Sequence, residues 1–252
     1  MSLFLLIVAF FLSASQLGLT DLTRLGRGVE NLRGLSSEMF PPDFSAFGDA
    51  LTALAETVQI AFVGTVIGFV FSLPVSALAL RNIFPPWVTS TVRWLLGIVR
   101  TVPVLFWAVV FVIAVGLGPL AGTLAVAVYS FGYLSKLFYE AFEAVDAEVV
   151  DALKVTGVSR LVLVRHAVFS ESMNTIVSQL LFMFEYNIRS SAVLGFVGAG
   201  GVGFLMVSYI ESLSYSSLTT VLVFTLATVL AIDFLSGYVR RRFLPGFRPA
   251  SA

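Results

Sequence analysis

Residues 94–139 read WLLGIVRTVPVLFWAVVFVIAVGLGPLAGTLAVAVYSFGYLSKLFY, and this stretch decides the fold class. Its two apolar parts, about 94–117 and about 119–139, are each long enough to cross a bilayer, which takes roughly 20 mostly apolar residues. Gly116-Leu117-Gly118-Pro119 at their junction is a tight outer turn, too short for a domain linker. The rest of the chain has the same character. Of its 252 residues 58% are hydrophobic and 12% charged, whereas soluble domains average about 45–50% and about 25%. An ordinary water-soluble enzyme domain is thereby excluded. Disordered, fibrous and disulfide-rich secreted classes go with it, because Cys is 0 and Phe alone is 24. The formal net charge of +0 offers no bulk attraction to a nucleic acid.

Working outward, further apolar stretches lie at about 2–19, 57–80, 173–208 and 217–239, the fifth in chain order interrupted by polar and Gly residues. The expected fold is an all-α polytopic membrane protein with about six transmembrane helices. The first stretch has no Lys or Arg, whereas a cleaved signal peptide starts with positive charge, so it is expected to stay as a permanent span. Lys and Arg set the orientation. With both termini cytoplasmic, the inner side receives Arg81, Arg93, Arg100, Lys136, Lys154, Arg160, Arg165, Arg240, Arg241, Arg242 and Arg248. The outer side keeps Arg24, Arg27 and Arg33, diluted by Asp21, Glu30, Glu38, Asp43 and Asp49. The expected organisation is a first transmembrane helix over 1–20 and an extracytoplasmic segment over 21–55, amphipathic and broken by Pro41-Pro42. A membrane core over 56–245 includes a cytoplasmic loop at 140–172, and a cytoplasmic tail covers 246–252.

That loop reads EAFEAVDAEVVDALKVTGVSRLVLVRHAVFSESMN over 140–174. Val145, Val149, Val150 and Leu153 share a helical face up to Thr156. Gly157 closes the helix, since Gly tolerates the left-handed conformation, and the Ser159 hydroxyl can cap a second short helix. The result is a compact knob, basic through Lys154, Arg160 and Arg165 and suited to a groove on another protein.

Asp151-Ala152-Leu153 followed by Gly157 resembles the EAA loop of bacterial ABC importer permeases. The family's acidic start is Asp151 instead of Glu, and its later Pro is absent, the corresponding residues being Ala167, Phe169 and Ser170. Downstream, Phe184-Glu185-Tyr186-Asn187-Ile188-Arg189-Ser190-Ser191 runs into Ala192-Val193-Leu194-Gly195-Phe196-Val197-Gly198-Ala199-Gly200-Gly201-Val202-Gly203. This ending resembles the methionine-importer-like permease group and, most narrowly, the phosphonate transport permease. Met39-Phe40-Pro41-Pro42-Asp43 and Arg100-Thr101-Val102-Pro103 resemble the same subfamily, so the likeness covers roughly 38–245.

The resemblance implies a coupling loop that docks on an ATPase through Asp151, Ala152, Leu153, Lys154, Gly157, Ser159 and Arg160. It implies a second permease subunit (the same chain or a close relative), two ATPase subunits that bind ATP and Mg, and an extracytoplasmic substrate-binding protein. The setting it implies is the bacterial cytoplasmic membrane, and the cargo phosphonates or related phosphorus oxyanions. The same architecture importing phosphate, phosphite, methionine or a quaternary amine is the alternative, and an ion-coupled secondary transporter using Glu185, Arg189 and Asp233 a more distant one.

Charged groups within a span are costly and face the bundle interior or a water-filled path. The candidates to line a translocation path are Glu185, Asn187, Arg189, Ser190, Gly198, Gly200, Gly201 and Arg100. Glu185 and Arg189 lie four apart on one helical face and are expected to pair, structurally or with Arg189 meeting a passing anion. The glycines of 195–203 permit unwinding, tolerated at membrane depth where it is buried or lines a cavity. Gly64 and Gly68 suggest close helix packing, Pro74 and Pro103 helix kinks, and Asp233 a pair inside the bundle or near the interface. The chain has no G-x-x-x-x-G-K-[ST] phosphate loop, and its only lysines are Lys136 and Lys154. It is therefore read as a transport subunit and not an enzyme, with no cofactor or metal site of its own and His166 left to a structural role.

Overall fold

A computed structural model describes residues 2–81 and 83–243, so Arg248 and the expected 246–252 tail lie outside the described residues. The described residues form helices, turns and irregular segments, with no strand among them. A short apolar helix α1 (Ser2–Gln16) precedes the amphipathic α2 (Leu22–Met39). The bundle follows as α3 (Phe47–Leu78), α4 (Pro86–Thr101), α5 (Val104–Val115) and α6 (Pro119–Glu143). Two short helices, α7 (Ala147–Val155) and α8 (Arg160–Leu163), lead through a π-helical turn at Val164–Val168 into α9 (Phe169–Leu194). α10 (Gly201–Glu211) and α11 (Tyr215–Phe243) complete the described chain.

Four helical segments are long and apolar enough to span a bilayer: Phe44–Leu78, Pro119–Glu143, Arg160–Val197 and Tyr215–Arg242. A fifth is available if α4 and α5, bent by 82° at their junction, count as one span. Among the described residues, length and composition support four or five crossings, and the expected six are not confirmed. The 15 residues of α1 reach only about 22 Å at 1.5 Å per residue.

Three boundaries differ from the sequence reading, each for a local reason. The stretch 94–117 is not one helix: Pro103 lacks an N–H, and a residue before proline avoids the helical region, so Val102 is extended at φ −82 and ψ 117. The second span starts ten residues earlier than 57, because nothing between Phe47 and Thr57 interrupts a helix, and the 55/56 boundary falls inside α3. The fifth stretch ends as a helix at Leu194, and its last part is the separate α10. By contrast α3 passes through Pro74 as one continuous helix.

The centre of the bundle is the parallel pair α3 and α6. A Cβ added at Gly64 would lie 2.6 Å from Val126 Cγ1, and one at Gly68 2.5 Å from Ser130 Cβ. The GxxxG thus brings backbones into contact, as packing in lipid requires in place of a hydrophobic drive. α9 lies across this pair. Asn187, fully buried, donates from Nδ2 to Thr65 Oγ1 and to Ser130 Oγ, both at 2.7 Å, and ties the three helices together.

Each end of the bundle has its own clasp. At one, Asp43 precedes α3 and joins it to the start of α11: Ser217 Oγ donates to Asp43 Oδ2 at 3.1 Å and Thr220 Oγ1 to Asp43 O at 2.8 Å. At the other, Arg93 of α4 donates to Ala79 O at 2.9 and 2.8 Å, pairs with Glu143 and covers the Tyr139 ring. The apolar core around Leu134, Phe138, Phe142 and Ile176 lies at this second end and takes in Val150, Leu163 and Val168 from the knob.

Candidate functional site: a surface knob and a polar seam

The knob is built by two caps and a left-handed glycine. Asp146 Oδ1 accepts from Glu148 N at 3.0 Å and starts α7. Gly157, at φ +75, reverses the chain, a conformation that costs side-chain-bearing residues. Ser159 then caps α8 by accepting from Val162 N at 3.5 Å. Val145, Val149, Val150 and Leu153 turn towards the core. Asp151, Ala152, Lys154, Gly157, Ser159 and Arg160 are exposed, with Leu153 half-buried. Lys154 pairs with Asp151 at 2.9 Å across this surface, and Arg160 reaches over the Phe84 ring at 5.9 Å. The exposed apolar Val155 and Leu161 flank the glycine turn. His166 is also exposed, its Nδ1 3.1 Å from Val162 O.

In the membrane-embedded part, the expected Glu185–Arg189 pair does not form. α11 runs antiparallel to α9 and supplies a better partner for each charge. Arg240 Nη2 lies 2.8 Å from Glu185 Oε1, and Arg189 Nη1 lies 3.1 Å from Asp233 Oδ2. The alternative pair within α9 would leave Asp233 and Arg240 without partners at costly positions, whereas two cross-helix pairs neutralise all four. The partner expected for Asp233 is thus Arg189, in a half-exposed pair. Asn187 is wedged inside the α3–α6–α9 contact. Ser190 is half-buried on α9, and Arg100, also half-buried, lies in the last turn of α4 just before the 82° bend.

The glycine run forms a break. A single 3-10 turn at Gly195–Val197 leads to Gly198 at φ +81, Gly200 at +80 and Gly201 at +72, after which α10 begins. Neighbouring helices satisfy its backbone: Gly118 N donates to Gly198 O at 2.8 Å, Glu56 Oε1 accepts from Gly201 N at 2.8 Å, and Thr57 Oγ1 accepts from Val202 N at 2.8 Å. Glu56 and Thr57, which cap the start of α10 from α3, were not singled out by sequence reasoning. Their only local signal is an acidic residue inside a mostly apolar helix. Glu56 also borders two cavities, about 310 Å³ with Asp49, Thr52 and Ser208, and about 480 Å³ with Gln59, Pro119 and Thr123. Among the described residues no group of three or more His, Cys, Asp or Glu is arranged to hold a metal ion.

The family model of the binding-protein-dependent transport system inner membrane component matches residues 64–248. A phosphite transport system permease protein of Stutzerimonas stutzeri is 37% identical over 227 residues, covering 90% of this chain and 82% of that one. A phosphate-import permease protein of Mycolicibacterium smegmatis is 42% identical over 213 residues, covering 84% of this chain and 40% of the relative. The fold is that of the methionine ABC transporter solved in inward-facing conformations, with TM-score 0.67 and 24% identity over 76% of this chain and 94% of that one. Apolar spanning helices, a capped surface knob and these matches lead to one conclusion: the chain belongs to the family of binding-protein-dependent transport system inner membrane components, the permeases of ABC importers.

Proposed function

We propose that this chain forms, with a second permease subunit, the translocation path of an importer for phosphorus oxyanions such as phosphonate, phosphite or phosphate. The cargo class rests on the phosphite and phosphate permeases that it is similar to and on the arginine within the α9 span. Two ATPase subunits, which hold ATP and Mg, dock on the knobs through Asp151, Ala152, Leu153, Lys154, Gly157, Ser159 and Arg160. A substrate-binding protein delivers cargo at the end marked by Asp43 and the start of α11. On this reading both termini are cytoplasmic, the chain is a transport subunit without a reaction of its own, and it needs no cofactor. Arg189, Ser190 and Arg100 face the path, the Gly198–Gly201 break is its movable wall, and Glu185 and Asn187 hold α9 in place. Closure of the ATPase pair pushes the two knobs together and opens the path outwards.

The observation that supports coupling is the geometry at Gly157. Its backbone is left-handed, yet nothing lies within 4 Å of where a Cβ would be. A side chain there strains the turn and meets only a docked partner. Gly157→Asp is therefore expected to abolish ATP-driven uptake at a normal membrane content of the chain. Normal uptake by that variant would remove the docking assignment.

A further inference from the structure

The two cross-helix ion pairs between α9 and α11 are built differently. Glu185 and Arg240 have 7% and 16% of their side chains exposed and meet at 2.8 Å. Arg189 and Asp233 have 47% and 39% exposed. Arg189 reaches Asp233 through Nη1 alone, at 3.1 Å to Oδ2 and 3.4 Å to Oδ1. Both residues lie inside spanning segments, Arg160–Val197 and Tyr215–Arg242. A half-exposed ion pair at that depth does not face lipid, where a charge is expensive; it faces water or another protein surface. A guanidinium has five N–H donors in a planar fork that matches an oxyanion two-by-two. The contacts with Asp233 use one nitrogen, so a tetrahedral oxyanion can approach the rest of the fork from the open side.

We propose that Asp233 is a resident counter-anion for Arg189. It holds the guanidinium while the path is empty, gives it up to an oxyanion in transit, and takes it back as the oxyanion leaves. This inference rests on the oxyanion reading above and adds to it the residue that limits retention. A free arginine within a closed, low-dielectric path would hold a phosphorus oxyanion and stall transport. A carboxylate tethered on the facing helix competes at high local concentration and sets the hold of the path on its cargo. The buried Glu185–Arg240 pair beside it keeps α9 and α11 in register while the outer pair opens.

The test uses the complete complex of permease, ATPase and binding protein. Equilibrium binding of radiolabelled methylphosphonate and of inorganic phosphate is measured on the permease–ATPase complex without binding protein. Uptake is measured with it in proteoliposomes. Asp233→Asn is expected to tighten anion binding at least about tenfold and to lower the maximal uptake rate, and Arg189→Gln in the same background is expected to abolish the gain. The charge swap Arg189→Asp with Asp233→Arg keeps an ion pair between α9 and α11, so the complex assembles, yet it is expected to leave uptake below about a tenth of wild type. Unchanged anion binding in Asp233→Asn would overturn the exchange, as would a charge swap that restores uptake, since the pair would then serve only packing. ATPase stimulation of the wild-type complex by oxyanion-loaded binding protein reports separately on the cargo class. Stimulation without a gain in Asp233→Asn would refute the exchange alone, and stimulation only by methionine or a quaternary amine would refute both.

Discussion

Gly68→Ala tests the packing that holds the bundle together. The added Cβ would lie 2.5 Å from Ser130 Cβ, 2.9 Å from Phe131 N and 3.0 Å from Ala127 O. Carbon atoms prefer about 3.5–4.0 Å, so α3 and α6 must part by roughly 1 Å, and two of the three obstacles are backbone atoms that cannot rotate away. Ser130 also accepts one of the two hydrogen bonds from Asn187, at 2.7 Å, so the displacement reaches α9. Overpacking of this kind costs about 1–3 kcal/mol, and the better helix propensity of Ala returns up to about 1 kcal/mol. The net loss is at most about 3 kcal/mol, and its midpoint of about 1.5 kcal/mol corresponds to a fall in Tm of roughly 3–6 °C for a domain of this size. Gly97→Ala is the matched control, since Gly97 lies inside α4 with nothing within 4 Å of its Cβ position. Thermal denaturation of the purified permease–ATPase complex should separate the two variants. Equal melting of Gly68→Ala, Gly97→Ala and wild type would refute the claim that α3 and α6 touch through their backbones at Gly68.

Other substitutions read other parts of the structure. Glu185→Gln leaves Arg240 facing a neutral partner; breaking a buried ion pair costs about 3–5 kcal/mol, reduced here because Arg240 can extend towards the helix end. A melting point lower than that of wild type, partly recovered by adding Arg240→Gln, is expected, and no change in Glu185→Gln would contradict the pairing. Asn187→Ala removes two buried hydrogen bonds, worth about 0.6 kcal/mol each inside a membrane bundle, and should lower Tm by a few degrees. A Tm equal to that of wild type would show that Asn187 is not a tie. Asp43 lies below the usual carboxylate range because the Ser45 side chain and backbone N–H and the Ser217 hydroxyl hydrogen-bond it. A carboxylate lowered in the folded state stabilises it above the unfolded value near pH 4 and stops doing so as pH falls through the folded value. Melting of wild type should therefore drop more steeply below about pH 4 than that of Asp43→Asn, and parallel curves would contradict the role of this clasp.

Much of this architecture was legible in the sequence because membrane helices are written in long apolar runs. The knob was legible too, since Gly157 and Ser159 act through neighbours two or three residues away; the Asp146 cap at its start was not singled out. What escaped was decided between distant residues. The four-residue spacing of Glu185 and Arg189 suggested a pair, but partners on α11, at separations of 55 and 44 residues, won both charges. Glu56 was overlooked because an acid on a mostly apolar helix does not announce the backbone N–H that it caps 145 positions later. Pro103 was read as a kink within one helix, whereas the chain turns by 82° there between two separate helices. Apolar length and helix length diverge where the count is not confirmed: α1 and α10 are apolar but short, and the sequence alone does not show where a glycine run divides a helix.

The central claim is an ATP-coupled permease for phosphorus oxyanions, and ATP hydrolysis by the reconstituted system tests it most directly. The chain is placed in lipid with its partner ATPase and binding protein, and a small phosphonate, phosphite, phosphate and methionine are compared as added ligand. Stimulation by one or more of the phosphorus oxyanions is expected, and none by methionine. Stimulation by methionine alone, or hydrolysis indifferent to every ligand in an assembled complex, would contradict that claim.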